Sequence, residues 1–243
     1  MLTRRAWFGV AGATAAATLT ACGSSDKAAT ATTTVTVSAT PADTPRPDIT
    51  DSAAALAELQ QGNERFVSAR MVRPDQGPTT RLKVSAAQHP FAVVLSCSDS
   101  RLPPELIFDQ GLGDLFVVRV AGNIVDPAGL GSIEYAVGHL HIPLIVVLGH
   151  QNCGAVSATV DAVQHPDDYP HGSIAALVAA ITPAVEAAKR EPGDLLDQSV
   201  RANALQSTNQ IEQSPELAVP LQSGALKVVT GYYSLEEGTV SLI

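Results

Sequence analysis

A chain of 243 residues, 45% hydrophobic and 16% charged, holds enough apolar material for one ordinary domain with a sizeable core, plus extensions. Aromatics are only 4%, so that core must be built from Val, Leu, Ile and Ala. The net charge of -9, with no basic run beyond Arg4-Arg5, repels phosphates and excludes nucleic acid as a partner.

The first residues read as a targeting segment. Arg4-Arg5 stand ahead of an apolar run from Ala6 to Leu19 that is short for a membrane span. The run ends in Leu19-Thr20-Ala21-Cys22, which resembles the lipobox of bacterial lipoproteins, where the cysteine is lipidated and becomes the first mature residue. Thr3-Arg4-Arg5-Ala6-Trp7-Phe8 resembles a twin-arginine signal, with Trp7 where that pattern usually has Phe. Residues 1–21 are therefore expected to be a signal peptide. Cys22 is expected to carry the lipid, which would anchor the protein to the outer side of the cell membrane. Residues 23–48 are rich in Thr, Ala, Ser and Pro and carry almost no large apolar side chain. They bury too little to offset ordering entropy, which predicts a disordered tether. Residues 49–243 form the expected domain.

Asp51 or Ser52 is a suitable N-cap for a helix carrying Leu56, Leu59 and Phe66 on one side. A short helix is expected over residues 80–88. Phe91 to Leu95 reads as a buried strand, and Leu115 to Val118 as a second. Asp126-Pro127 combines an N-cap with proline at the first helical position, and the helix after it puts Leu130, Ile133, Val137 and Leu140 on one stripe. Leu144 to Leu148 is a third buried strand, expected to end at Gly149. Residues 154–163, 173–190 and 194–212 look helical. Leu226 to Thr230 is a fourth strand, and Thr239 to Ile243 a short edge strand. Continuous apolar strands alternating with helices predict an α/β fold, with a central, mostly parallel β-sheet flanked by helices on both faces.

Apart from Cys22 the chain has two cysteines, Cys97 and Cys153, each just beyond the carboxyl end of a predicted buried strand. In open α/β sheets ligands bind there. His150 lies three residues before Cys153, on the same turn. Two thiolates and one imidazole suit zinc and leave a fourth position for chemistry. In an exported protein the same two cysteines could instead form a disulfide. A disulfide gives no reason for His150, nor for Asp99 and Arg101 just after Cys97.

Cys97-Ser98-Asp99-Ser100-Arg101, followed by His150-Gln151-Asn152-Cys153-Gly154, resembles the two signature segments of β-class carbonic anhydrases. The likeness extends through Phe116-Val117-Val118-Arg119, Ala121-Gly122-Asn123, Ile133 to Val137 and Gly231-Tyr232-Tyr233. The resemblance implies one zinc ion per subunit, ligated by Cys97, His150 and Cys153, with Asp99 and Arg101 as the catalytic pair. Arg101 would hold Asp99 by two parallel hydrogen bonds and keep it off the metal; released, Asp99 could become a fourth ligand. Zinc held by three histidines acidifies its water to a pKa of roughly 7, and two electron-rich sulfurs are expected to weaken that effect. The nucleophile so formed hydrates carbon dioxide to bicarbonate.

The same resemblance puts Gln88, Phe116, Ala121, Tyr135 and Gly154 at the substrate pocket, Gln88 as a hydrogen-bond donor. Ala121 stands where many plant-like members have Val, which widens the slot. Gly122 and Gly154 are expected to permit close backbone approach beside the metal, and the helix starting at Gly154 to favour anions. A homodimer or larger homo-oligomer is implied by the family alone. Two other readings use the same site: a hydrolase of carbon disulfide or carbonyl sulfide, and a lipoprotein that binds zinc without turnover. Gln88 and Tyr135 favour the anhydrase over the first. The intact Asp99–Arg101 pair speaks against the second.

Overall fold

In the computed structural model of the protein, the described residues are 49–243, so Cys22, the signal segment and the tether lie outside them. Five strands run in chain order: β1 (Ala92–Ser96), β2 (Leu115–Arg119), β3 (Leu144–His150), β4 (Lys227–Tyr233) and β5 (Val240–Leu242). They form one sheet in the order β2-β1-β3-β4-β5. The first four are parallel and β5 closes one edge antiparallel to β4. The helices are α1 (Ser52–Val67), α2 (Pro78–Val84), α3 (Pro104–Ile107), α4 (Pro127–Leu140), α5 (Gly154–Gln164), α6 (Ser173–Ala188), α7 (Leu195–Glu212) and α8 (Ala218–Ser223).

Every residue of β1 and of β3 is buried, which is why both read as unbroken apolar runs. Successive side chains alternate between the two faces. Val93, Leu95, Ile145 and Val147 pack with Ile133, Ala136 and Val137 of α4 and with Ala204 and Ile211 of α7. Ala92, Val94, Leu144, Val146 and Leu148 pack with Ala55 and Leu59 of α1 and with Ile107 of α3. The expected caps are present. The Asp51 carboxylate accepts from the N–H of Ala53 and Ala54 at 3.0 and 2.8 Å. That of Asp126 accepts from Gly129 N at 2.6 Å.

Three boundaries differ from expectation. The helix expected over 80–88 is α2, and it stops at Val84. Leu82 is 77% exposed, so no core contact extends this helix towards Gln88. β3 does not end at Gly149; it continues to His150, with Gly149 and His150 opposite Tyr232 and Tyr233 of an equally prolonged β4. Gly149 serves the packing of α7 rather than strand termination. A Cβ there would come within 3.2 Å of Ala204 Cβ and 3.3 Å of Val200 Cγ1. The short helices α3 and α8 have no counterpart in the sequence reading, because four and six residues are too few for a periodicity.

Candidate metal centre

Parallel pairing of β1 with β3 puts their carboxyl ends side by side. Cys97 follows β1 directly, His150 is the last residue of β3, and Cys153 is the N-cap of α5. The two Sγ atoms are 4.0 Å apart, and both cysteines are free and buried. With His150 they bring three potential ligand atoms within 4.8 Å of one another. Two sulfurs on a tetrahedral zinc, at about 2.3 Å each, stand roughly 3.8 Å apart, so the spacing suits the metal.

His150 strengthens the fit. Its Nδ1 lies 2.9 Å from the Gln151 carbonyl oxygen. A carbonyl only accepts, so Nδ1 carries the hydrogen and Nε2 keeps a lone pair. That Nε2 is buried with no hydrogen-bond partner. An unpartnered buried acceptor costs about 1–3 kcal/mol, which a coordinated cation offsets. Cys153 beside it pulls the Cys97 thiol down to about 4, against burial and with help from the nearby His150 side chain and the N–H groups of Gly122 and Asp99. Cys153 is pushed the other way by Cys97 and by burial, against the N–H groups of Val156 and Ala155 at the start of α5. The N–H groups at the start of α5 thus favour a thiolate at Cys153, but Cys97 and burial outweigh them.

The loop after β1 carries the acid–base pair. Arg101 grips Asp99 with Nε on Oδ1 at 2.9 Å and Nη2 on Oδ2 at 2.8 Å, and its backbone N–H also donates to Oδ1 at 2.9 Å. Arg101 holds the Asp99 carboxyl well below the usual carboxylate range, against the effect of burial. Arg119, at the end of β2, ties the loop down: Nε donates to the Cys97 carbonyl at 2.9 Å and Nη2 to the Asp99 carbonyl at 2.6 Å. Its signal was available in the sequence, since an arginine there ends an apolar strand at the ligand edge of the sheet.

The tight turn 121–123 closes the site from the β2 side. Ala121 begins it, and Gly122 donates its N–H to Cys97 Sγ at 3.2 Å. Gly122 has φ 72°, and a Cβ there would lie 2.7 Å from Ile181 Cδ1, so close approach is confirmed at this position. It is not confirmed at Gly154, where a Cβ would meet nothing within 4 Å. Gly154 instead leaves open space at the start of α5.

The structure does not gather the remaining pocket residues around the cysteines within one chain. Phe116 is opposite Val93, four positions before Cys97, or about 13 Å along the strand. Its ring packs on Tyr135 of α4 at 6.4 Å between centroids, and Tyr135 packs on His139 at 5.0 Å. Gln88 is exposed in the loop leading into β1, at the opposite end of the sheet from Cys97. A cavity of about 470 Å³, lined among others by Leu56, Asn63, Phe108 and Val240, lies between α1 and β5 and contains none of the site residues.

Residues 92–240 match the family model described as carbonic anhydrase. The carbonic anhydrase of Mycolicibacterium smegmatis is 41% identical over 194 residues, covering 79% of this chain and 94% of that protein. The chain belongs to the carbonic anhydrase family. Its class within the family follows from solved structures. The Coccomyxa β-carbonic anhydrase in complex with acetazolamide is 28% identical with a TM-score of 0.61, over 77% of this carbonic anhydrase and 86% of that chain. Tetrameric β-carbonic anhydrases from Sordaria macrospora share the fold with a TM-score of 0.62 at 22% identity, over 75% and 93% of the two chains.

Proposed function

We propose that this β-carbonic anhydrase is a zinc enzyme that reversibly hydrates carbon dioxide to bicarbonate and a proton, holding one zinc ion per subunit with Cys97, His150 and Cys153. The observation that carries this is the buried, partnerless Nε2 of His150 beside two free thiols. Zinc held there supplies Lewis acidity that makes a nucleophile of water near neutral pH.

The protein's own residues do the rest. Arg101 occupies Asp99 Oδ1 twice and Oδ2 once, which leaves acceptor capacity on Oδ2. Asp99 stays ionised, so it accepts a hydrogen bond and orients the reacting water without retaining the proton. The proton leaves to buffer. Gly122 and Cys97 fix the wall on which carbon dioxide approaches Ala121. Gln88, Phe116 and Tyr135 serve the pocket of a neighbouring copy, since their own chain carries them away from its sulfurs. Exposure of Tyr135 at 47% supports this, as does the tetrameric state of the Sordaria proteins. The working unit is then at least a homodimer. Cys22 anchors it by lipid outside the cytoplasm after export, by the twin-arginine route; among the described residues no helix is long and apolar enough to cross a membrane.

Stopped-flow hydration with a pH indicator tests the reading. The zinc-loaded protein should show a rate far above buffer, and Asp99→Asn should lose about 10²-fold or more in kcat/KM. Zinc-loaded protein with no rate above buffer removes the activity, and full activity in Asp99→Asn removes the role of Asp99. Cys22→Ser should move the protein from the membrane fraction to the soluble fraction.

A further inference from the structure

A stripe of small polar side chains on α7 reaches the turn behind Cys97. Asn203 is fully buried and Ser207 is 1% exposed. Asn203 Nδ2 donates to the Gly122 carbonyl at 2.6 Å, across 81 residues of sequence, and Ser207 Oγ donates to the Asn123 carbonyl at 2.9 Å. The Asn203 amide has only one workable orientation here, because its partner can only accept.

These bonds act on a turn that holds itself only in part, by the Asn123 N–H on the Val120 carbonyl. Gly122 and Asn123 have φ of 72° and 44°, two successive left-handed residues, which for Asn123 costs on the order of 1–3 kcal/mol. Gly122 is moreover the most freely rotating residue type. The peptide between Gly122 and Asn123 is fixed at both ends: its N–H donates to the Val120 carbonyl at 2.8 Å and its carbonyl accepts from Asn203. With that peptide fixed, rotation about Gly122 is stopped, and its own N–H stays aimed at Cys97 Sγ at 3.2 Å. A hydrogen bond to a thiolate withdraws charge from the sulfur, and groups behind a ligand tune a metal in this way.

We propose that Asn203 and Ser207 are positioning residues that hold the Gly122 N–H on the Cys97 sulfur, setting the site's zinc affinity and the charge Cys97 donates to the metal. The proposal rests on the zinc reading above and adds two groups to it. Neither touches substrate or metal; both act through the 121–123 turn.

The test uses the full chain, with zinc affinity read by competition against a chromophoric chelator. The thiolate-to-metal charge-transfer absorption of the cobalt(II)-substituted protein is read alongside it. Asn203→Ala, and the near-isosteric Asn203→Leu, which has no donor, should weaken zinc binding 10- to 100-fold. Both should also shift the charge-transfer band, which a general loss of stability would not do. Ser207→Ala should shift both readouts in the same direction by less. Ser199→Ala, one turn earlier on the same helix and buried without a hydrogen-bond partner, should leave both unchanged. Zinc affinity within twofold of wild type and an unmoved band in Asn203→Ala overturn the proposal. If that variant does not fold, unchanged readouts in Ser207→Ala overturn it instead. Wild-type protein that fails to bind zinc at all sinks the functional reading, a result distinct from tight binding that the variants share.

Discussion

Asp109 has a side chain with no exposed surface, yet it is an acid. It is tolerated because three donors converge on it: Arg65 Nε at 2.6 Å, Val72 N at 2.9 Å and Arg73 N at 2.9 Å. Removing the carboxylate strands two backbone N–H groups and the Arg65 Nε, although Arg65 Nη2 keeps Glu58 at 3.0 Å. Asp109→Ala is expected to cost about 3–5 kcal/mol, measured as a shift in the urea midpoint at unchanged slope. Nothing in the local sequence announces this, since the partners lie 36 to 44 residues earlier. The residues proposed to hold zinc are the opposite case. Each sits beside the end of a strand that its own neighbours declare, so Cys97, His150 and Cys153 were legible one by one. What brings them together, the pairing of β1 with β3, was not legible, because no local pattern writes the strand order β2-β1-β3-β4-β5.

Helix α7 shows what one element contributes beyond its apolar stripe. Arg201 lies 4.1 Å above the ring of Tyr232 and bonds Asp197 one turn back at 2.8 Å. The Asp197 carboxyl is pushed down although burial opposes it, because Arg201 and the Tyr232 hydroxyl both donate to it. A carboxyl that is more acidic folded than unfolded stabilises the fold above the unfolded value, near pH 4, and loses that contribution as pH falls through its folded value. The side chains are each 34% exposed, so the pair is worth about 0.5 kcal/mol. Asp197→Asn should therefore be less stable than wild type at pH 6–7, with the gap closing below pH 4 in urea titrations run at each pH. The extent of α7 was legible from its pattern. The work of Asn203 and Ser207 was not, because a buried polar residue on a helix looks like any exposed one until its partner 80 residues away is known. Gly149 misled for a similar reason: it reads as a strand terminator, and only the packing of α7 shows why it is glycine.

At the scale of the molecule, the sheet and its two covers follow from a few facts: β1 and β3 are apolar throughout, helices alternate with strands, and aromatics are scarce. The pocket was less legible, because sequence likeness assigns Gln88, Phe116 and Tyr135 to a site without saying whose site. In one chain they lie away from its sulfurs, and only the proposed second copy would bring them to a site. The sulfurs at the sheet's edge have a mechanical side as well. Cys97 and Cys153 are separated by 56 residues, and the stretch between them contains β2, the 121–123 turn and α4. An ion gripping both ends closes that stretch as a removable cross-link, and clips on long loops restrain the chain most. Stripping the metal with a chelator should thus speed amide hydrogen exchange first in residues 97–130, with α6 and the far end of α7 following only as the whole domain loosens. Chemistry and fastening would then be lost at the same moment, so a molecule deprived of its ion would fall idle and come open to proteases together.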